Sequence, residues 1–288
     1  MATKDVPRGP VTAEISFVVP PSDPNAVLYN YVDPPSDGSA QRNFIEQPYT
    51  IPLTDIRGSE TQYTLDNSAL QILSSIPTTT TYETYNDDTT IQHTYYPEVE
   101  TLLLEHIPGA HKVVIFDHTI RRQDGSSHRK PVTRAHVDQT PRAATERVRL
   151  HVDDPAEREE LLKGRYRIVN VWRPINGTVV SHPLAFADTA SDSIDPVLGG
   201  RDLVPIEHRY PHRSGEIMGV KFREGQRWLY LSGVRADERV LIKCADSRAD
   251  VDGDQAVKAR LPHSGFVDPR SDPEKSRESI EVRALVFG

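Results

Sequence analysis

Residues 217–244 read IMGVKFREGQRWLYLSGVRADERVLIKC, and this stretch decides the fold class. It holds three short apolar runs, at 217–222, 227–231 and 239–244, with glycine-containing turns between them. A fourth run of the same kind, at 279–287, closes the chain. Several short strands at close spacing, separated by turn residues, are typical of a β-sandwich or a β-barrel.

The residues upstream add strands and helices to this pattern. Apolar runs at 14–19, 112–117 and 166–172 predict further strands. Thr140-Pro141 and Asp153-Asp154-Pro155 each place a capping side chain before proline, which predicts helices ending near Leu150 and Lys163-Gly164. Helices are also predicted at 68–74 and at 97–106, with Pro97 in the first turn of the second. The sequence therefore predicts a mainly β protein with some helix.

Composition and charge exclude several classes of function. The chain has 288 residues and a formal net charge of -8, so clustered basic residues for a phosphate backbone are not expected, and nucleic acid is excluded as a partner. Cys244 is the single cysteine, which rules out an intrachain disulfide and a cysteine-based zinc cluster. The sequence contains no apolar stretch of 18 residues and no secretion signal at its start. We therefore expect no membrane association and a cytoplasmic location.

Two His-x-Asp triplets stand out among the eleven histidines, at 136–138 and 151–153. On a strand, residues i and i+2 point to the same face, so one imidazole and one carboxylate can bind the same ion. Such a pair is two-thirds of the 2-His-1-carboxylate triad that holds Fe(II) in non-haem oxygenases. Helix capping explains Asp153 and Asp154, which favours a structural reading of His151. Asp138 is not needed as a cap, and the residues alone leave His136 and Asp138 evenly balanced between ligand and structural roles.

A second histidine ligand is expected on a later strand. His182, His208 and His212 lie near prolines or charged residues and are interpreted as loop residues, whereas His263 follows an apolar strand. Further on, Arg277 and Ser279 would share one strand face and could bind a carboxylate together. Taken alone, Arg277 is better explained as a solvated charge within 272–278, and both interpretations stay open.

Five ordered motifs together resemble the fungal hydroxylase/desaturase family related to the cephamycin methoxylation protein CmcJ. They are VIFDHTIRR at 114–122, HVDQTP at 136–141, NVWRPI at 170–175, ERVLIK at 238–243 with DS at 246–247, and PHSGF at 262–266. The resemblance covers residues 90–288 well and the first 90 loosely. Members of this family are regarded as Fe(II)- and 2-oxoglutarate-dependent, and they differ in the substrates that they oxidise.

The resemblance implies a fold and a metal centre. The implied fold is a double-stranded β-helix (jelly-roll or cupin-like) with flanking α-helices, in one oxygenase domain over 1–288. Residues 1–90 would form an extension packed on a core at 91–288, with an insertion around 180–210 over the pocket mouth. His136, Asp138 and His263 would bind Fe(II). Arg277 and Ser279 would bind the carboxylate of 2-oxoglutarate, with Arg283 as a rival, and O2 would be the oxidant.

The resemblance also implies a small secondary-metabolite or amino-acid-like substrate. Hydrogen abstraction would lead to hydroxylation, desaturation or oxidative ring closure, with release of succinate and CO2. The candidate substrate-binding residues are Arg121, Arg122, Arg173, Trp172 and Phe266. Surface pairing for the arginines and a core position for Trp172 stay open as alternatives. Two other functions also stay open, a zinc-dependent hydrolase on the same three residues and a metal-free jelly-roll binding protein, and so does a homodimer.

Overall fold

The structure is a computed structural model that describes residues 6–122, 132–191, 193–194, 198–211, 214–272, 275 and 277–288. Strands β1 to β14 span, in chain order, Val11–Val19, Leu28–Tyr31, Ile45–Asp55, Leu70–Leu73, Lys112–Arg121, His136–Val137, Tyr166–Pro174, Leu184–Ala187, Leu203–Arg209, Ser214–Val220, Trp228–Tyr230, Arg239–Asp246, His263–Gly265 and Ser279–Phe287. Helices α1 to α5 span Leu65–Ser68, Asp88–His106, Pro141–His151, Pro155–Lys163 and Ser247–Asp250. Short 3-10 turns lie at Glu60–Gln62, Tyr82–Asn86 and Thr189–Ser191. His212 lies outside the described residues.

These strands form two sheets that pack face to face. The larger sheet has the order β1-β3-β11-β8-β13-β6-β10-β9-β2, and the smaller sheet has the order β4-β12-β7-β14-β5. Most neighbouring strands are antiparallel, whereas β11 runs parallel to β3 and β2 runs parallel to β9. The jelly-roll class predicted from the sequence is confirmed.

The smaller sheet is buried on both faces, so every residue of β7 is buried. Side chains alternate along a strand. Ile168 and Trp172 therefore face the core between the sheets, while Val169 and Val171 face a second core under α2. This alternation decides which predicted residues reach the space between the sheets.

Two predicted helices differ from the observed elements. Residues 70–73 form β4, which pairs with the edge of β12, after Ala69 has ended α1 in a left-handed conformation (φ 58°). The second helix begins at Asp88, well before Pro97, because the Asp87 side chain accepts a hydrogen bond from the Thr90 backbone N–H and caps it. The helices predicted to begin at Thr140-Pro141 and at Asp154-Pro155 are confirmed.

The predicted boundary at residue 90 does not correspond to a break in the sheets. Strands β1, β2 and β3 belong to the larger sheet and β4 to the smaller one, so the first 90 residues supply hydrogen-bonded strands to both. The predicted insertion at 180–210 is likewise in part a sheet element, because β8 lies between β11 and β13; residues 192 and 195–197 lie outside the described set. In the described part of the chain, no helix combines the length and the apolar character needed to span a membrane.

Candidate metal centre

Two neighbouring strands of the larger sheet bring His136, Asp138 and His263 together. His263 on β13 pairs directly with His136 on β6, although the two lie far apart in the sequence. Asp138 follows β6 two residues after His136, on the same face, while Val137 between them is buried in the core. One potential ligand atom from each residue lies within 4.8 Å of the others. The two imidazole centroids are 4.5 Å apart.

Backbone carbonyls fix the orientation of both imidazoles. His136 Nδ1–H donates to the Arg134 carbonyl at 2.8 Å, and His263 Nδ1–H donates to the Leu261 carbonyl at 3.0 Å. A carbonyl can only accept, so each Nδ1 carries a proton, and the Nε2 of each neutral ring can offer its lone pair to a metal. Burial, assisted by the nearby His136, lowers the pKa of His263 and favours the neutral form that a metal ligand requires. Such contacts behind the ligands are typical of histidines that bind metals.

The Asp138 carboxylate is held through one of its two oxygens. Its Oδ2 accepts from Asn170 Nδ2 at 2.7 Å and from Arg283 Nε at 3.4 Å, while Oδ1 lies 3.4 Å from His136 Nε2. Burial would raise the pKa of Asp138, but the contact with His136 and the charge of Arg283 hold it well below its usual range. The carboxylate is therefore ionised, with Oδ1 facing the two imidazoles.

The donor set suits a divalent transition metal. Two neutral imidazole nitrogens and one ionised carboxylate oxygen lie on one side of the cavity, which leaves the other side open for further ligands. Within the described residues, the donors that face the centre have no competing hydrogen bond beyond the His136–Asp138 contact. The same donors can bind zinc, so the geometry alone does not choose the metal.

Charged side chains from the smaller sheet face these three residues across the cavity. The cavity is lined by Arg121, Val132, Trp172, Leu184, Gly265, Arg277, Glu281 and Arg283 in addition to the three candidate ligands. Three of these side chains are guanidinium groups, so the cavity attracts anions.

Arg277 and Arg283 differ in what they bind. Arg283 contacts Asp138, Asp117 at 2.7 Å and Glu281 at 3.0 Å, and these carboxylates raise its pKa well above the usual value although burial acts against them. Arg277 is 5% exposed, lies over the Trp172 ring at 5.2 Å and donates to the His182 carbonyl. Its Nε is buried and has no hydrogen-bond partner in the described part of the chain.

The surroundings of Arg277 favour binding of an anion. Among the described residues, none forms an ion pair with Arg277. Burial, followed by the positive charge of Arg121, lowers the pKa of Arg277 to about 9, while Glu281 opposes this shift only in part. An added carboxylate would stabilise the charged guanidinium.

Four predicted site residues lie elsewhere. Arg122 contacts Tyr82 and the 3-10 turn at Tyr82–Asn86, and Arg173 donates to Thr78 and Thr80, because both arginines point to the α2 side of the smaller sheet. The Phe266 ring packs in the core against Tyr230, and the Ser279 side chain is buried without lining the cavity.

The second His-x-Asp triplet has a structural role. His151 ends α3 with its ring stacked on Phe116 at 5.1 Å, and Asp154 caps α4 through the backbone N–H groups of Ala156 and Glu157. These contacts favour the structural interpretation of His151, and the cap of α4 is Asp154 rather than Asp153 of the triplet.

Sequence reasoning missed Asn170 and Glu281. Asn170 lies two residues before Trp172 on β7, and Glu281 lies two residues before Arg283 on β14. Residues of the same parity face the same way, so the placement of Trp172 and Arg283 in the cavity would have predicted both positions. That signal requires knowing which face of each strand points inward.

This chain matches known proteins along nearly its whole length. Residues 15–287 match the family described as an oxidoreductase/YMDC permease-like domain. The hydroxylase/desaturase poxK of Penicillium oxalicum is 34% identical over an alignment covering 98% of this chain and 92% of that protein. The Fe(II)/2-oxoglutarate-dependent dioxygenase nvfI of Aspergillus novofumigatus is 31% identical, with 96% of each chain covered. A solved structure of the iron and alpha-ketoglutarate-dependent endoperoxidase NvfI superimposes with a TM-score of 0.84 at 28% identity, covering 98% of this chain and 99% of that chain.

Similarity of this extent, together with a triad that can bind iron, makes the protein an Fe(II)/2-oxoglutarate-dependent oxygenase that uses O2. Within that class, the chain belongs to the family that includes the fungal hydroxylase/desaturases, as its five motifs predicted. The zinc hydrolase and the metal-free binding protein find no support among the relatives.

Proposed function

We propose that His136 Nε2, His263 Nε2 and Asp138 Oδ1 hold the catalytic iron of this enzyme. The proposal depends on the hydrogen bonds of these three side chains. In each of them, the polar atom that does not face the proposed iron is already hydrogen-bonded to the protein. Both Nδ1–H groups donate to carbonyls and Asp138 Oδ2 accepts from Asn170, so the remaining donors converge on one point. Bound Fe(II) would supply activation of O2 coupled to the oxidative decarboxylation of 2-oxoglutarate, which yields succinate and CO2.

Arg277 is proposed to bind the distal carboxylate of 2-oxoglutarate. Its buried guanidinium has an unpartnered nitrogen and lies near the positive charge of Arg121, so a carboxylate would relieve an unfavourable arrangement. Arg283, the rival predicted from the sequence, already contacts three carboxylates and is proposed to hold Asp138 in place instead.

The substrate is proposed to be a small secondary metabolite or amino-acid-like molecule that enters the same cavity. Trp172 and Leu184 provide apolar wall, and Arg121 provides a positive charge for an acidic group. These side chains would orient a substrate C–H bond and exclude water. Hydroxylation, desaturation or oxidative ring closure would follow according to which C–H bond is presented. A cytoplasmic location and a homodimer remain predictions from the sequence, and size-exclusion chromatography with light scattering tests the second.

The experiment measures succinate release from 2-oxoglutarate at saturating Fe(II), with and without oxygen. Oxygenases of this class turn over the keto acid slowly without substrate, so no substrate needs to be known. We expect oxygen-dependent succinate release, and we expect Arg277→Met to raise the 2-oxoglutarate concentration for half-maximal rate about 10- to 100-fold, since a charge-assisted contact is lost. Arg122→Met is the matched control, because this arginine lies outside the cavity. An unchanged requirement in Arg277→Met, or an equal shift in the control, would refute the assignment of Arg277.

A further inference from the structure

A second cavity lies on the opposite face of the smaller sheet from the metal centre. It has a volume of about 370 Å³ and lies between α2 and the residues at the β4 end of the sheet. Its apolar lining residues include Ile76, Val99 and Leu102, while Glu98 and Glu105 on α2 add two carboxylates to the lining. The Glu98 carboxylate already accepts hydrogen bonds from the Thr78 and Thr79 hydroxyls. Tyr95 and Arg239 also line it and contribute polar atoms from the interior.

Two buried arginines lie beneath this cavity. Val240 pairs with Trp172, so Arg239 on β12 lies directly opposite Arg173 on β7, and both are almost fully buried at 2% and 4% exposure. Like charges directly opposite on one sheet face are destabilising. Among the described residues, neither arginine forms an ion pair within 4.0 Å; the Glu98 carboxylate acts on Arg239 from a greater distance.

The hydrogen bonds of the two arginines involve only neutral groups. Arg173 donates to the Thr78 and Thr80 hydroxyls. Arg239 Nη1 donates to the carbonyls of Ala236 and Glu238. Two buried guanidinium charges therefore remain without a bound anion, which is an expensive arrangement inside a protein.

Two buried polar atoms beside this cavity have no hydrogen-bond partner among the residues that the structure describes. These are Arg239 Nη2 and the Tyr95 hydroxyl, and Tyr95 is fully buried. Burial raises the pKa of Tyr95 to about 12, so the hydroxyl keeps its proton and remains a donor. Buried donors are nearly always satisfied, and leaving one unsatisfied costs free energy. The Arg239 guanidinium and the Tyr95 hydroxyl are both hydrogen-bond donors. They therefore suit a ligand whose polar group only accepts hydrogen bonds.

We propose that this cavity is a second ligand site, which binds a small amphiphilic monocarboxylate. The carboxylate oxygens accept from Arg239 Nη2 and the Tyr95 hydroxyl, and the apolar body of the ligand packs against Ile76, Val99 and Leu102. A monoanion fits better than a phosphate, because burial of a doubly charged group costs more and the site offers few donors. The site is separate from the metal centre and does not depend on its function.

Isothermal titration calorimetry tests the proposal with octanoate as the probe and octanamide as its uncharged counterpart. The full chain is loaded with Fe(II) and saturating 2-oxoglutarate without oxygen, so that the metal cavity is occupied. We expect octanoate to bind at least about tenfold more tightly than octanamide, as expected for a charge-assisted hydrogen bond. Equal affinities, no octanoate binding, or octanoate binding that is seen only when 2-oxoglutarate is left out would each overturn the proposal.

Variants of the cavity residues test whether octanoate binds in this cavity. Arg239→Gln should weaken octanoate at least about tenfold, and Tyr95→Phe about fivefold, since one neutral hydrogen bond is lost. Thr101→Trp, at an exposed position on the cavity rim, should block binding and needs no change in the core, so it also serves if Arg239→Gln fails to fold. Arg227→Gln is the control for a distant arginine. Octanoate binding that is unchanged in both Tyr95→Phe and Thr101→Trp would exclude this cavity.

Discussion

Replacing Asn170 by alanine should weaken iron binding although Asn170 is not a ligand. Its amide donates to Asp138 Oδ2 at 2.7 Å in a fully buried position, while the second contact of that oxygen, from Arg283 Nε, is longer at 3.4 Å. A hydrogen bond to a charged group contributes about 1.5–3 kcal/mol. Because about 1.4 kcal/mol corresponds to tenfold in affinity, the expected loss is about 10- to 100-fold, the range typical of residues behind metal ligands.

Anaerobic equilibrium titration with Fe(II) against a competing chelator measures this loss. Val171→Ala is the matched control, because Val171 is the next residue on β7 and is equally buried but faces the α2 side. It should lower the free energy of unfolding by about 1–3 kcal/mol without changing the iron affinity. If Asn170→Ala binds iron as tightly as wild type, or if Val171→Ala loses as much affinity, the orienting role of Asn170 is wrong.

Three further predictions concern stability. Gly219→Ala should destabilise the fold by about 1–3 kcal/mol in urea denaturation, because a Cβ there would lie 2.5 Å from Val18 Cγ2 beside the strand of His136; an unchanged midpoint would contradict this packing. Thr140→Ala should cost about 1–2 kcal/mol, since its hydroxyl caps α3 and also donates to Glu216, and Thr140→Ser should retain most of that stability in the same assay. Fe(II) at 100 times its dissociation constant should stabilise the wild type by about 2.7 kcal/mol in anaerobic thermal unfolding and should leave His263→Ala unchanged.

The β-rich architecture could be predicted because its strands are short, apolar and separated by turn residues. The final strand was predicted at 279–287, and the structure has it at Ser279–Phe287. The failure at 68–74 has a physical cause, since β4 is held by pairing with β12, a partner far along the chain. A local pattern of four residues does not specify such a pairing.

The candidate site was predictable to the extent that it depends on local spacing or on motifs. His136 and Asp138 share a face because they lie two residues apart on extended backbone, which the sequence alone indicates. Their meeting with His263 depends on the register between β6 and β13, which no local pattern specifies. The residues made His263 a candidate, and the family resemblance implied that it is a ligand. Arg173, a candidate substrate contact, lies on the α2 side instead of in the metal cavity. The sequence could not show this, because its strand is buried on both faces and the apolar pattern does not indicate which face points inward.

Anaerobic absorption spectroscopy tests the proposed metal centre most directly. Chelation of 2-oxoglutarate to ferrous iron in this class of enzyme gives a weak visible charge-transfer band without any substrate. We expect the band in wild type, its loss in His136→Ala and His263→Ala, and its retention in His151→Ala, which alters the other His-x-Asp triplet. A band that persists in His136→Ala and His263→Ala, or that disappears only in His151→Ala, would contradict the assignment of the iron to these residues.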